Sequence, residues 1–390
     1  MFFFSFLSRM REKGRTVELL SDLIAIPSVS PEGDPGTDQT GEIRMVEYLE
    51  KQMRACGAQT QVQPARPGRP NLIASFKPSG KMIRRIAFAP HLDTVGVAGM
   101  TIPPFSGEVR DGRIYGRGAC DTKGPATAAL SAMQRLAEAG ELPAKHTEWM
   151  FLGLAGEEDG SFGAQALCES GFDADLVVAL EPTDNRVVTA HKGALWLKLQ
   201  TVGRSAHGSA PQRGDNAIYK MARVISELEK LSNDFAKKIH PALGGASLNV
   251  GRAIGGTRIN TVPDSCEVLV DIRTHSFFTG VAALAAVRQA LAPETQIDVL
   301  RDACPLEADS CDPLIKALLK QSGGQSSADW FSDASVFSEY GIPAVVFGPG
   351  SINQAHTADE WIEMNSLNAA HNILKQFIQQ VNEQDRDFLA

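Results

Sequence analysis

Three consecutive carboxylates, Glu157, Glu158 and Asp159, directly follow an apolar run and are the first residues that suggest chemistry. The run covers residues 150–155 and ends at Gly156, which is typical of a buried strand in an α/β sheet. Ligands of such sheets bind at the carboxyl ends of the strands, where these acids are expected to lie. Adjacent carboxylates repel each other unless a cation or a proton is present. The pattern therefore indicates a metal site, although a solvated acidic turn would show the same sequence.

Other histidines and acids have the same placement, after predicted strand ends or in a glycine-rich turn: His91, Asp93, Asp121, Glu181 and His356. Nitrogen and oxygen ligands without thiolate suit zinc, cobalt or manganese, and a carboxylate-rich set suits two ions bridged by one carboxylate. In the His91-Leu92-Asp93 pair, a carboxylate can orient the imidazole of a ligand through its other nitrogen. A lone histidine is more often structural, so the prediction depends on the shared sheet edge.

Strand and helix patterns alternate up to about residue 192, which favours a mixed sheet with helices on both faces. The pattern then changes to β-α-β-β-α-β, with strands near 194–202, 246–254, 266–273 and 296–300 and helices over 216–231 and 281–291. After residue 303 the first pattern resumes. We predict an α/β fold in which a catalytic domain (1–192 and 303–390) is interrupted by an inserted, ferredoxin-like domain (193–302).

The composition places limits on the partners and the location of the protein. A net charge of −8 in 390 residues argues against nucleic acid as the main partner. The six cysteines are scattered, as in reduced cytosolic proteins. The apolar segment 2–7 is shorter than the ~7–15 residues of a signal peptide's apolar core, and no run approaches the ~18 apolar residues of a membrane span. We expect a cytoplasmic enzyme with no membrane partner.

Seven motifs between residues 90 and 360 occur together in an order that resembles the di-zinc aminoacylase and carboxypeptidase family. They are Pro90-His91-Leu92-Asp93-Thr94-Val95, the turn 116–124, Gly156-Glu157-Glu158, Glu181-Pro182-Thr183, 206–218, 260–271 and 348–360. This family includes acetylornithine deacetylase, succinyl-diaminopimelate desuccinylase and glutamate carboxypeptidase. The resemblance implies a zinc-peptidase-like catalytic domain with an inserted lid and dimerisation domain.

The resemblance also implies roles for the candidate residues. His91 and Glu181 would bind one zinc or cobalt ion, Glu158 and His356 a second, and Asp121 would bridge both. Asp93 would act on His91, and Glu157 would be the general base of amide hydrolysis.

Three residues of the inserted domain complete the implied site. His207 would stabilise the oxyanion from the second subunit of a homodimer, although it also reads as a turn histidine that caps the next helix. Asn260 and Arg273 would bind the free carboxylate of an N-acyl amino acid, since the planar guanidinium suits a carboxylate. A turn asparagine and a surface arginine would give the same sequence.

Within the family, the stretches 348–356, 181–183 with 190–193, and 271–273 are most similar to acetylornithine deacetylase, which implies a role in arginine biosynthesis. Desuccinylases and dipeptidases are the alternatives, because pocket walls determine specificity. Two further hypotheses are a non-catalytic binding protein that retains the fold and an amidase that uses Cys120, next to Asp121, as its nucleophile.

Overall fold

The computed structural model describes residues 14–32 and 34–387, and the side chains up to Asp385, so the apolar segment 2–7 lies outside the described residues. The chain forms two compact units. The first contains the described residues up to Thr189, Ala308–Ser326 and those from Ser332 onward; the second contains Ala190–Glu307 and Ser327–Phe331. These boundaries lie a few residues from 193 and 302. The short segment 327–331 belongs to the second unit because it contacts Lys192. The carbonyl of Ala328 accepts a hydrogen bond from the Lys192 amide, and Asp329 forms an ion pair with the Lys192 ammonium group.

The helices are α1 (14–24), α2 (Ile43–Ala55), α3 (Lys123–Glu138), α4 (Phe162–Glu169), α5 (Ala217–Phe235), α6 (Gly280–Ala290), α7 (Pro313–Gln321), α8 (Ala334–Glu339) and α9 (Met364–Asp387), with 3-10 turns at Pro211–Arg213 and Ile352–Gln354. The strands of the first unit and its boundary are β1 (Gln59–Arg66), β2 (Arg69–Phe76), β3 (Arg84–Pro90), β4 (Glu108–Arg110), β5 (Arg113–Tyr115), β6 (Thr147–Gly153), β7 (Leu176–Leu180) and β8 (Val187–His191). The strands that follow are β9 (Gly193–Val202), β10 (Ala206–His207), β11 (Ile239–His240), β12 (Gly244–Gly245), β13 (Ser247–Gly255), β14 (Thr261–Val262), β15 (Ser265–Thr274), β16 (Gln296–Ala303), β17 (Leu306–Glu307), β18 (Gln325–Ala328), β19 (Ala344–Phe347) and β20 (Trp361–Glu363).

The first unit is built on a mixed sheet with strand order β1-β2-β6-β3-β7-β19-β8, which confirms the predicted α/β class. Strand β3 is parallel to β6 and β7, and β19 is parallel to β7, whereas β1, β2 and β6 pair in antiparallel fashion. Every residue of β6, β7 and β19 is buried. Strands that are buried along their whole length need cover on both faces of the sheet. The core on one side includes Phe88 stacked on Trp149, with Phe377 of α9 edge-on to both rings.

The second unit contains a four-stranded antiparallel sheet with strand order β13-β15-β9-β16. In β9 the residues Leu195, Leu197 and Leu199 are buried, and Trp196 between them is exposed, because alternate side chains point to opposite faces of a sheet. Helix α5 begins after Asn216, whose side chain accepts hydrogen bonds from the amides of Ile218 and Tyr219.

No helix among the described residues is both long enough and apolar enough to cross a membrane.

Candidate metal centre

Parallel strands bring four of the candidate residues to one edge of the first unit's sheet. Strand β3 lies between β6 and β7. His91 directly follows β3, Glu181 directly follows β7, and Glu157 and Glu158 lie just beyond β6. The carboxyl ends of parallel strands meet at the same edge, so these side chains converge.

Asp121 and His356 reach the same edge on loops. Asp121 lies between β5 and α3, and His356 follows the 3-10 turn Ile352–Gln354. One oxygen of Asp121, Oδ1, is 2.9 Å from Nε2 of His91, and the other, Oδ2, is 3.3 Å from Nε2 of His356. A single carboxylate therefore contacts one histidine with each of its oxygens.

Five predicted ligands form two groups in which all ligand atoms lie within 4.8 Å of one another: His91, Asp121 and Glu181, and Asp121, Glu158 and His356. In the first group, Nε2 of His91 is 3.7 Å from Oε1 of Glu181. In the second, Nε2 of His356 is 3.1 Å from Oε1 of Glu158. Asp121 belongs to both groups, which is the grouping that the family resemblance implies.

The charges of these side chains favour a cation at the centre. Burial raises the pKa of Glu181 well above its usual range, and the nearby Asp121 adds to the effect. Burial lowers the pKa of His91, but the carboxylates of Glu181 and Asp121 outweigh it and the net shift is upward. Hydrogen bonds to Asp121 and Glu158 raise the pKa of His356 to about 10. The carboxylates outnumber the imidazoles and compete for protons, and divalent cations would replace those protons. The oxygen and nitrogen donors fit zinc or cobalt.

Asp93 contacts His91 and also fixes the two adjacent glutamates. Nδ1 of His91 is 3.0 Å from the main-chain oxygen of Asp93 and 3.5 Å from its Oδ1. The same carboxylate accepts hydrogen bonds of 3.1 Å from the amides of Glu157 and Glu158. Asp93 therefore links the chain segment after β3 to the turn after β6.

The turn after β6 requires glycine at position 156. Gly156 has φ +70°, and a Cβ there would lie 1.8 Å from Cε1 of Phe162. Glycine alone adopts this conformation without steric cost. This sharp turn directs the amides of Glu157 and Glu158 toward Asp93.

A buried arginine that the sequence did not single out anchors the same turn. Arg69, at the start of β2, pairs through two nitrogens with Glu42 at 2.5 Å each and through Nη1 with Asp159 at 2.9 Å. Ser30 also donates a hydrogen bond to Asp159. Asp159, the third acid of the opening run, is therefore an anchor outside both ligand groups. In the sequence, the only indication of this anchor was that the family resemblance assigns no role to Asp159.

His356 adopts a backbone conformation that is unusual for its residue type. Its φ is +61°, in the left-handed region. Such a conformation costs on the order of 1 kcal/mol and persists where surrounding structure requires it. Here it accompanies the contacts of Nε2 with Asp121 and Glu158.

His207 and Asn260 lie together in the second unit. Strand β10, which carries His207, pairs with β14, and the amide of Gly208 donates a 2.7 Å hydrogen bond to the carbonyl of Asn260. Nδ1 of His207 accepts a hydrogen bond from the amide of Ser209, so the ring proton lies on Nε2. This tautomer can donate a hydrogen bond to a ligand.

Arg273 lies on β15 of the same unit. Its Nε donates a 3.0 Å hydrogen bond to Asp271, which also accepts a 2.9 Å hydrogen bond from Nε1 of Trp196. The guanidinium is thereby held at one nitrogen, and Nη1 and Nη2 are the atoms that would meet a carboxylate.

Cys120 is a poor nucleophile in this environment. Its thiol is buried and contacts the carbonyl of Ser351 at 3.3 Å. Burial, with the charges of Glu360 and Asp121, raises the pKa of the thiol well above its usual value. Because the thiolate is the reactive form, this setting argues against a cysteine amidase.

Comparison with known proteins places the chain in a family. The model of peptidase family M20/M25/M40 matches residues 87–380. Acetylornithine deacetylase of Edwardsiella ictaluri (strain 93-146) is 30% identical over 378 residues, which cover 93% of this chain and 96% of that protein.

Two solved structures share the fold. An M20 family metallo-carboxypeptidase from Sulfolobus solfataricus superimposes with a TM-score of 0.79 at 18% identity, over 93% of this chain and 98% of that one. A Bacillus subtilis protein described as a dinuclear metal-binding peptidase of family M20 gives a TM-score of 0.71 at 16% identity, over 96% and 99%. With a family match over residues 87–380 and a curated relative that aligns along almost its whole length, the chain belongs to peptidase family M20/M25/M40 and is a metal-dependent hydrolase of amide bonds.

Proposed function

We propose that the protein hydrolyses the amide bond of an N-acyl amino acid, with N-acetyl-L-ornithine as the first candidate substrate and acetate and L-ornithine as products. The proposal rests on one observation: two groups of potential metal ligands that share Asp121. The identity of 30% to an acetylornithine deacetylase over 93% of the chain supports the choice of substrate.

In this proposal His91, Asp121 and Glu181 would hold one divalent cation, and Asp121, Glu158 and His356 would hold the other. Two such cations, zinc or cobalt, would supply Lewis acidity that polarises the acyl carbonyl and acidifies water.

Glu157 is the proposed general base. It belongs to neither ligand group found among the described residues, and it is largely buried, at 8% exposed. Its main chain is fixed by the hydrogen bond to Asp93. Glu157 would accept a proton from the attacking water and deliver it to the amine nitrogen as the C–N bond breaks, which leaves a carboxylate and a free amine.

Residues of the second unit are proposed to bind the substrate. His207, with its proton on Nε2, suits a hydrogen-bond donor to the developing oxyanion. Arg273 suits the free carboxylate because its guanidinium is held by Asp271. Asn260 directly precedes β14, and its carbonyl accepts a hydrogen bond from the amide of Gly208, the residue after His207.

We further infer a homodimer formed through the second unit, in which His207 acts on the partner's site. Seven of the nine residues of the edge strand β13 are exposed, and Ile254 on it and Ile259 after it are exposed at 49% and 106%. An exposed sheet edge with apolar side chains is a ready pairing surface. Light scattering should give twice the mass of the chain.

A cytoplasmic location is part of the proposal, and it is supported by the six cysteines, all described, of which none forms a disulfide.

The proposal is tested with a panel of N-acetyl-ornithine, N-succinyl-diaminopimelate and dipeptides, each assayed before and after treatment with a chelator. We expect turnover of the acetyl substrate, loss of turnover on chelation and recovery with zinc or cobalt. Preference for the succinyl substrate would favour a desuccinylase, and preference for dipeptides would favour a dipeptidase. The fold shared with a metallo-carboxypeptidase gives some weight to the peptide substrates. Turnover that is indifferent to chelation and lost in Cys120→Ala would overturn the proposal.

A further inference from the structure

The carboxylate of Glu360 is completely buried and has four hydrogen-bond donors. Its Oε2 accepts hydrogen bonds of 2.9 Å from Nη1 of Arg117 and from the amide of Gly118. Its Oε1 accepts hydrogen bonds of 2.8 Å and 3.0 Å from the amides of Cys120 and Asp121. Three of the four donors are main-chain amides of the turn that carries Asp121, so Glu360 fixes the backbone of this turn.

A buried carboxylate is tolerated only when such donors replace its water. Two donors for each oxygen make this site fully satisfied, and hydrogen bonds to a charged acceptor are the strong class. Exchange of either oxygen for an amide NH2 group would place a donor against two donors. The arrangement is therefore specific for a carboxylate at position 360.

The same residue joins two loops that are far apart in the sequence. Glu360 lies four positions after His356, and the Asp121 amide that it binds is 239 positions away. The main-chain oxygen of Glu360 also accepts a hydrogen bond of 3.0 Å from the amide of Gly116. The strand β20 that follows pairs with β5, which precedes the Asp121 turn. The carboxylate of Glu360 thus fixes the position of the loop of Asp121 relative to the loop of His356.

We propose that Glu360 is a positioning residue for cation binding: it holds Asp121 so that Oδ1 and Oδ2 serve the two ligand groups at once. The inference rests on the proposed function, because it assumes that both groups bind cations. A ligand that bridges two ions has to be placed correctly for both, so a small shift of its backbone weakens both sites. Loss of partners that orient metal ligands typically lowers metal affinity about 10–100-fold.

The test compares Glu360→Gln with Glu148→Gln in the full chain. Glu148 is a matched control because its side chain is also completely buried in the first unit and accepts hydrogen bonds from Ser75, Lys77 and Arg85. Cation-free proteins are titrated with Co²⁺ alone, and affinity, stoichiometry and the visible spectrum of bound cobalt are recorded beside the melting temperature.

We expect Glu360→Gln to bind Co²⁺ about 10–100-fold more weakly than the wild type and with an altered cobalt spectrum. Glu148→Gln should bind Co²⁺ as the wild type does, although its melting temperature falls. A purely structural role of Glu360 would lower the melting temperature and leave affinity and spectrum unchanged, which would overturn the proposal.

Glu360→Asp keeps the negative charge that faces Arg117 and provides a second variant if the glutamine protein does not fold. The shorter side chain cannot reach all four donors, so the Co²⁺ affinity should again fall. Wild-type affinity in Glu360→Asp would overturn the inference. If the wild type itself does not bind two cobalt ions, the proposed function fails, whereas normal binding in the wild type and in both variants refutes only the role of Glu360.

Discussion

Carboxylates lie near the start of strand β6 and in the turn beyond its end, and their surroundings are opposite. At the start of β6, Glu148 pairs with Lys77 and with Arg85, and these hydrogen bonds lower its pKa although burial raises it. Beyond the end of β6, Glu158 contacts His356, and burial raises its pKa. The protein itself balances the charge of Glu148. At the other end the carboxylates outnumber the imidazoles, and this difference separates a structural acid from a candidate metal ligand.

The largest effect is expected when the acid shared by both ligand groups is removed. Asp121→Asn should lose both cations and reduce turnover to background, because Asp121 contributes one oxygen to each group. Glu158→Gln should lose only one cation. Metal content per chain, measured by mass spectrometry, distinguishes the two variants. Two cations retained in Asp121→Asn would contradict the bridging role.

A glutamate-to-glutamine substitution near the start of β6 and one beyond its end should have different effects on turnover. Glu157→Gln should reduce turnover by about a hundredfold to ten-thousandfold, the usual contribution of a general base, and should keep both cations. Glu148→Gln should leave turnover unchanged. Steady-state rates with N-acetyl-ornithine and metal analysis of the same samples test this pair. A normal rate in Glu157→Gln would show that another group is the base.

The pH dependence of cation binding gives a smaller effect. The pKa of His356 is raised to about 10 in the cation-free chain, so its imidazole holds a proton at neutral pH that a cation must displace. The affinity for the cation should therefore rise about tenfold per pH unit for each proton displaced.

The stability of the cation-free chain should change with pH in the opposite direction. The stabilising effect of His356 is complete below its unfolded pKa of 6.5 and disappears as the pH rises through about 10. Calorimetric titrations at several pH values would contradict this if the affinity stayed constant.

The smallest expected effect is on stability at the start of β6. Glu148→Gln should lower the free energy of unfolding by about 1–3 kcal/mol, because hydrogen bonds to a buried charge are lost. Urea unfolding monitored by circular dichroism gives this value, and Glu157→Gln is its control. Equal stability of Glu148→Gln and the wild type would mean that Lys77 and Arg85 contribute nothing to folding through this carboxylate.

Local patterns in the sequence predicted the elements that carry the site. The apolar run 150–155 that ends at Gly156 predicted the buried strand observed as β6, which covers Thr147–Gly153. Strand β3, Arg84–Pro90, ends directly before His91. The joint placement of His91, Glu158 and Glu181 followed from the rule that parallel strands end at one edge.

The residues that hold the ligands could not be predicted in this way. Arg69 lies between Gly68 and Pro70, and Glu360 ends the motif 348–360, but nothing in either local sequence indicates that the side chain is buried. Their burial results from long-range contacts, 90 positions to Asp159 in one case and 239 to Asp121 in the other. Local periodicity contains no information about such contacts. Asp93 was predicted to act on His91, but its hydrogen bonds to the amides of Glu157 and Glu158 depend on the turn at Gly156.

The central claim is that one carboxylate, Asp121, bridges two cations at the edge of this sheet. Anomalous diffraction from crystals grown with Co²⁺ tests it most directly. We predict two peaks ~3.5–4 Å apart, the usual spacing of two-metal sites. One should be bonded to His91 and Glu181, the other to Glu158 and His356, and both to Asp121. A single peak, or cobalt bound without Asp121, would contradict the account.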